Sequence, residues 1–142
     1  MTILDKQKEV IDEFSFFDSW EERYEHLISL GKSLKGIAEE DKKEQYIIKG
    51  CQSKVWLKPN FDKRNIHFLA DSDAILPKGI AALLVRIFSG HKPTEIVGAS
   101  TDFISDIGLQ EFLSPSRANG LLAMVKQIKF YAIALQAKQT KA

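Results

Sequence analysis

Cysteine is almost absent from this chain: a single one, Cys51, occurs in 142 residues. One cysteine cannot close an internal disulfide, so the fold has no need of an oxidising compartment. Surplus charge is missing too. Lysine and arginine number 20 against 19 aspartates and glutamates, which leaves no long-range field to gather nucleic acid or anionic lipid in bulk. No apolar run approaches the roughly 18 residues that cross a bilayer, and Met1 to Lys8 are too polar for a signal peptide. These absences point to a cytoplasmic protein with no nucleic-acid and no membrane partner. Phosphate loops of the GxGxxG or GxxxxGKS/T kind do not occur, and neither do the CxxC and HxxxH spacings of metal sites.

What is present is ordinary globular composition, 44% hydrophobic and 27% charged, at a length that fits one domain over residues 1–142. Leu4, Val10, Ile11 and Phe14 suggest a short first helix. Asp18, with Glu21 three residues on, predicts the N-cap of a second that carries Trp20, Tyr24, Leu27, Ile28 and Leu34 at helical spacing. Glu39 to Glu44 reads as a charged surface connection. The period then changes to two: Val55–Leu57, stopped by Pro59, and Ile66, Phe68 and Ala70 predict two antiparallel strands, with a turn over Pro59 to Arg64. Tyr46 to Ile48 is a candidate third strand at one edge.

Helical spacing returns at Ile80, Leu83, Leu84, Ile87 and Phe88, with Ser72 or Asp73 as candidate cap and Pro77 as a complication near the start. Two short helical turns follow, closed by Gly98 and Gly108. Ser114 then caps a helix with Pro115 at its first position and Leu121, Leu122, Val125, Ile128, Ala132 and Leu135 along one face, running to about Gln136. Lys126, Lys129, Lys138 and Lys141 read as the solvated side of that helix. Helices, a small antiparallel sheet, then helices again give an α+β fold with the helices packed on one face of the sheet.

Chemistry concentrates at Gly50-Cys51-Gln52-Ser53, where the polar connection enters the first strand. The glycine permits a backbone conformation closed to other residues and clears space beside the sulfur. Two readings stand: a lone cysteine is often a small buried hydrophobe, or it is a reactive thiol whose thiolate is stabilised by a cation. Lys49 and Lys54 are adjacent cations. Arg117 is a distant one, placed in the first turn of the last helix, where a cation opposes the helix dipole unless both face an anion. His26, on the polar side of its helix, and His67, facing away from Ile66 and Phe68, make a poor Cys–His pair. Asp71 and Asp73 resemble a carboxylate pair but suit capping and turn chemistry better.

Three strings carry a family resemblance: Gly50-Cys51-Gln52-Ser53-Lys54-Val55-Trp56-Leu57; Asp71-Ser72-Asp73-Ala74 followed by Lys78-Gly79; and Leu113-Ser114-Pro115-Ser116-Arg117 followed by Gly120-Leu121 and Ala123-Met124. With Trp20-Glu21-Glu22-Arg23-Tyr24 and Leu30-Gly31 they make nearly the whole chain resemble the SufE family of sulfur acceptor proteins. The resemblance implies a fold shared with IscU-type scaffold proteins and a SufS-type cysteine desulfurase as partner. It implies that Cys51 takes a persulfide from that enzyme, stimulates it, and delivers sulfur to iron-sulfur scaffold proteins without being an enzyme itself. Arg117 would stabilise the sulfur anion and Asp73 would hold the loop or cap near the docking surface. No cofactor is expected in this chain, since the pyridoxal phosphate belongs to the desulfurase. Pro77 and the charged, aromatic stretch Lys42 to Ile48 depart from the family pattern, and Pro77 predicts a shifted helix start.

Overall fold

Thr2 and Asp5 open the first helix by exchanging hydrogen bonds, each backbone N–H donating to the other side chain at 3.0 Å. The computed structural model describes residues 1–140; Lys141 lies outside them. Helix α1 (Ile3–Ser15) buries Ile3, Val10 and Phe14. Helix α2 (Trp20–Ser33) is capped by Ser19 and not by Asp18, because the Ser19 hydroxyl accepts the Glu22 N–H at 3.2 Å. Single 3-10 turns at Glu39–Asp41 and Glu44–Tyr46 occupy the charged connection.

Strands β1 (Val55–Asp62) and β2 (Asn65–Ser72) pair antiparallel from Val55↔Ser72 to Asp62↔Asn65. The expected turn over Pro59 to Arg64 is therefore too long: Pro59 is a strand residue opposite Phe68, and the chain reverses at Lys63 (φ 57°). A proline is tolerated in an edge strand where its nitrogen is not needed for a ladder bond. The candidate third strand contracts to one bridge, Ile47↔Trp56, with the Ile48 N–H on the Val55 carbonyl at 2.9 Å.

Helix α3 (Ile75–Phe88) starts after Ala74, with no side-chain cap from Ser72 or Asp73. Pro77 falls in its first turn, where backbone N–H groups have no intrahelical acceptor, so the helix neither kinks nor starts late. Gly31 and Gly79 let α2 and α3 touch backbone to backbone: a Cβ on Gly31 would lie 2.8 Å from the Gly79 nitrogen. The short helices α4 (Pro93–Gly98), α5 (Phe103–Ile107) and α6 (Leu109–Phe112) follow. Gly108 ends α5 in the left-handed conformation (φ 82°), and the redirected chain makes the extra turn α6, which nothing in the sequence pattern announces. Helix α7 (Pro115–Thr140) continues one turn past the expected end.

One hydrophobic cluster joins these elements. Val55, Leu57, Ile66, Phe68 and Ala70 from the sheet meet Ile80, Leu83, Leu84 and Ile87 of α3 and Leu121, Met124, Val125 and Ile128 of α7. The fold is α+β, as expected.

Candidate functional site

The loop from Ile48 to Val55 is fixed at its base. On one side Ile48 donates to the Val55 carbonyl at 2.9 Å. On the other, the Asp73 carboxylate accepts the Lys54 N–H at 3.1 Å while the Lys54 carbonyl accepts from the Ser72 hydroxyl at 2.8 Å and the Asp73 N–H at 3.2 Å. Asp73 thus works as a clamp on the cysteine loop, and its side chain caps no helix. Within the loop Gly50 takes φ +96°, a conformation that L side chains rarely adopt.

That geometry sets Cys51 half-buried against α7. Its Sγ faces the Gly120 carbonyl at 3.7 Å, and a Cβ on Gly120 would lie 3.5 Å from the sulfur. The space beside the sulfur is therefore cleared mainly by Gly120, whereas Gly50 turns the backbone. A glycine inside a long helix costs about 1 kcal/mol against alanine, and that cost was the available sign of a close approach. Burial pushes the Cys51 thiol up from its ordinary value, so the resting sulfur is a protonated thiol at neutral pH. Lys49 and Lys54 are both exposed.

Cys51 opens on a cleft of about 880 Å³ between the loop, α2 and the first turns of α3 and α7. Asp73 and Arg117 line the same cleft, so the residues singled out from the sequence converge on one place. Tyr24, Ile28, Ile75, Ile80 and Met124 supply apolar wall, with Ser53, Ser114 and Ser116 as polar neighbours. Ile28 was legible only as a helix-face residue, and Tyr24 as that and as part of a family string; nothing local distinguishes a cleft wall from a core contact.

Asp71 belongs elsewhere. Buried, it accepts the N–H groups of Ile37 (3.2 Å) and Ser72 (2.9 Å) and faces Lys42 and Lys78, each at 3.5 Å. Those bonds and cations hold its carboxyl below the usual range despite burial. The Lys42 ammonium also lies 5.3 Å from the Trp56 ring centroid, so the charged stretch before the cysteine is tied to the outer sheet face. His26 is bound to Glu13 and packed on Phe14 and Phe17, a structural tie between α1 and α2. His67 is exposed. Among the described residues no group of three or more His, Cys, Asp or Glu side chains could hold a metal ion, and no helix is long and apolar enough to cross a membrane.

A family model described as "SufE: Fe-S metabolism associated domain" matches residues 8–132, a span that holds the cysteine loop, the Asp73 clamp and the cleft-lining turns of α7. The match defines the class: an α+β chain carrying a domain associated with iron-sulfur metabolism. The chain is 40% identical over 134 residues to "SufE-like protein 1, chloroplastic/mitochondrial" of Arabidopsis thaliana, covering 94% of this chain and 36% of that protein. It is 39% identical over 134 residues to "Uncharacterized SufE-like protein R01000" of Rhizobium meliloti, covering 91% of this chain and 94% of the relative. It therefore spans about a third of the plant protein and nearly all of the rhizobial one. The chain belongs to the SufE family. Its fold is also that of a hypothetical protein from Thermus thermophilus, solved in solution, with a TM-score of 0.77 at 19% identity, covering 93% and 96% of the two chains.

Proposed function

We propose that this protein is a sulfur acceptor: Cys51 takes a persulfide from a SufS-type, pyridoxal-phosphate cysteine desulfurase, stimulating that enzyme, and passes the sulfur to iron-sulfur scaffold proteins in the cytoplasm. The observation that carries the reading is one thiol, half-buried beside a helix glycine, on the wall of an open cleft.

In the transfer, the Cys51 thiolate attacks the terminal sulfur of the partner's cysteine persulfide. A new S–S bond forms at Sγ as the partner's S–S bond breaks. The partner's cysteine leaves as a thiolate and takes up a proton, and no external oxidant or reductant is consumed. The electron pair of the broken bond stays with the departing thiolate, so the desulfurase cysteine is ready for another cycle and Cys51 holds the cargo.

Two demands on the cysteine conflict, because attack needs an accessible thiolate while storage needs shelter from reductants and oxidants. Resting half-buried against Gly120 serves storage, since it limits access to the sulfur. Docking draws the loop off that seat toward the partner's persulfide, and Arg117 on the cleft wall supplies positive charge for the thiolate as it forms. Asp73 keeps the base of the loop in register during that excursion. The chain carries no cofactor of its own in this scheme and breaks no carbon–sulfur bond.

Mass spectrometry after incubation with desulfurase and cysteine tests the reading. Cys51 gains about one or two sulfur atoms, and Cys51→Ser gains none. Stimulation of cysteine turnover that survives Cys51→Ser, with no adduct on the parent chain, would reduce the protein to a module that only tunes the enzyme.

A further inference from the structure

Among the described residues Asp71 is the only buried carboxylate, 8% exposed, and it stands outside the cysteine cleft. A charge so placed costs stability unless it is paired and hydrogen-bonded, and its surroundings meet that demand oxygen by oxygen. Oδ1 accepts the Ser72 N–H at 2.9 Å and faces the Lys78 ammonium at 3.5 Å. Oδ2 accepts the Ile37 N–H at 3.2 Å and faces the Lys42 ammonium at 3.5 Å. Gly36 makes room for the carboxylate: a Cβ there would lie 2.9 Å from Oδ2, and the glycine sits at φ +80°, which L side chains rarely adopt.

These contacts reach the site from two directions. Ser72, whose N–H the carboxylate holds, donates its hydroxyl to the Lys54 carbonyl at 2.8 Å and accepts the Ala74 N–H at 3.2 Å. Asp73 beside it accepts the Lys54 N–H at 3.1 Å, and Lys54 stands three residues after Cys51. Lys78 lies in the first turn of α3, the turn from which Ile75, Leu76 and Pro77 line the cleft. Asp71 itself is anchored in the sheet, opposite Trp56 in the register of β1 and β2.

We propose that Asp71 is a positioning residue for sulfur transfer: its carboxylate fixes Ser72 and Asp73, and through them the base of the loop that carries Cys51. This rests on the sulfur-acceptor reading above. All four groups around the carboxylate are donors or cations, so an asparagine in its place must turn its NH2 toward one pair of them. Ser72 and the first turn of α3 are then no longer held to a common point. The chain still folds around its core, but a slightly displaced clamp presents the thiol at the wrong place, and small misplacements of a reacting atom are costly to rate.

A mutant cycle on the whole chain tests this, read by iodoacetamide alkylation of Cys51 and by its persulfide loading from a purified SufS-type desulfurase and cysteine. Relative to the parent, Asp71→Asn is expected to alkylate at least about threefold faster and to load at least about threefold more slowly at saturating desulfurase. The half-saturating desulfurase concentration stays at the parental value. In a Ser72→Ala/Asp73→Ala chain, whose clamp has lost its side chains, adding Asp71→Asn should change neither rate further. A loss of stability alone would speed alkylation equally in both backgrounds. That outcome, or parental rates in Asp71→Asn, overturns the role of Asp71 and leaves sulfur transfer standing. A parent chain that the desulfurase never loads overturns both. Lys78→Gln removes one partly buried cation and keeps the carboxylate, so it should move both rates the same way by a smaller factor. If Asp71→Asn does not fold, the cycle is run with Lys78→Gln, and equal effects in both backgrounds overturn the proposal there.

Discussion

The sulfur of Cys51 rests against Gly120, with a Cβ at that position only 3.5 Å from it. That separation is ordinary van der Waals contact, so Gly120→Ala should leave the thiol seated and, by the helix preference for alanine, raise stability by up to about 1 kcal/mol. A branched side chain has no such room. Gly120→Val is expected to shorten the lifetime of a persulfide on Cys51, because the added sulfur needs the space the valine fills. Mass spectrometry at intervals after removal of the desulfurase measures it, and equal decay in parent and valine variant would refute the seat.

Asp73 holds the cysteine loop through the Lys54 backbone at 3.1 Å. Asp73→Ala removes that acceptor, while the hydrogen bonds of Lys54 with the Ser72 hydroxyl and the residue 73 backbone N–H remain. The expected result is a chain with nearly unchanged thermal midpoint whose Cys51 reacts faster with iodoacetamide and whose amides at 50–54 exchange faster. Asp73→Asn, which keeps an acceptor, should lie close to the parent. Unchanged alkylation and exchange in the alanine variant would show that the clamp does not govern the loop.

Burial raises the Cys51 thiol above its ordinary value of 9.0. A group bound more tightly to its proton in the folded state contributes stability that is complete below its unfolded pKa and fades as pH rises through the folded one. Stability should therefore fall above about pH 9, and part of that fall should vanish in Cys51→Ser. Tyr131 is also raised by burial, so the variant difference, not the absolute slope, is the readout in urea titrations. Alkylation of the native thiol should have a midpoint above that of the urea-unfolded chain.

Gly79 stands where α3 meets the Leu27 carbonyl of α2, and a Cβ there would lie far inside contact distance of backbone that cannot swing aside. Gly79→Ala is expected to cost about 2 kcal/mol or more, read by thermal or urea unfolding, even though alanine is the better helix former. A neutral effect would mean that the two helices separate at little cost.

How much of this could be read before folding depends on whether a signal was local. The start of α7 was legible because Ser114 and Pro115 act within one turn, and the helix faces of α2 and α3 because periodicity survives tertiary packing. The hairpin turn was misplaced because Pro59 reads as a stop; its tolerance depends on β1 being an edge strand, which no neighbouring residue announces. The turn α6 was missed because Gly108 reads equally well as an end and as a change of direction.

The site divides along the same line. Cys51, Asp73 and Arg117 stood out by type and setting. Gly120, Tyr24 and Ile28 did not, since their meeting depends on how α2, α7 and the loop pack across large separations in sequence. The bond of His26 to Glu13 was not legible either, because Glu13 lies on another helix. The burial of the resting thiol is a property of the packed loop and not of the residues beside it.

Because α7 runs unbroken from Pro115 to Thr140, the sulfur seat at Gly120 and the core residue Ile128 share one rod, about 12 Å apart along its axis at the usual rise per residue. Such a rod works as a ruler. Inserting or deleting one residue between those positions would change that distance little, but it would turn Ile128 by about 100° around the axis relative to Gly120. The distance from the thiol tolerates editing, and the compass bearing does not.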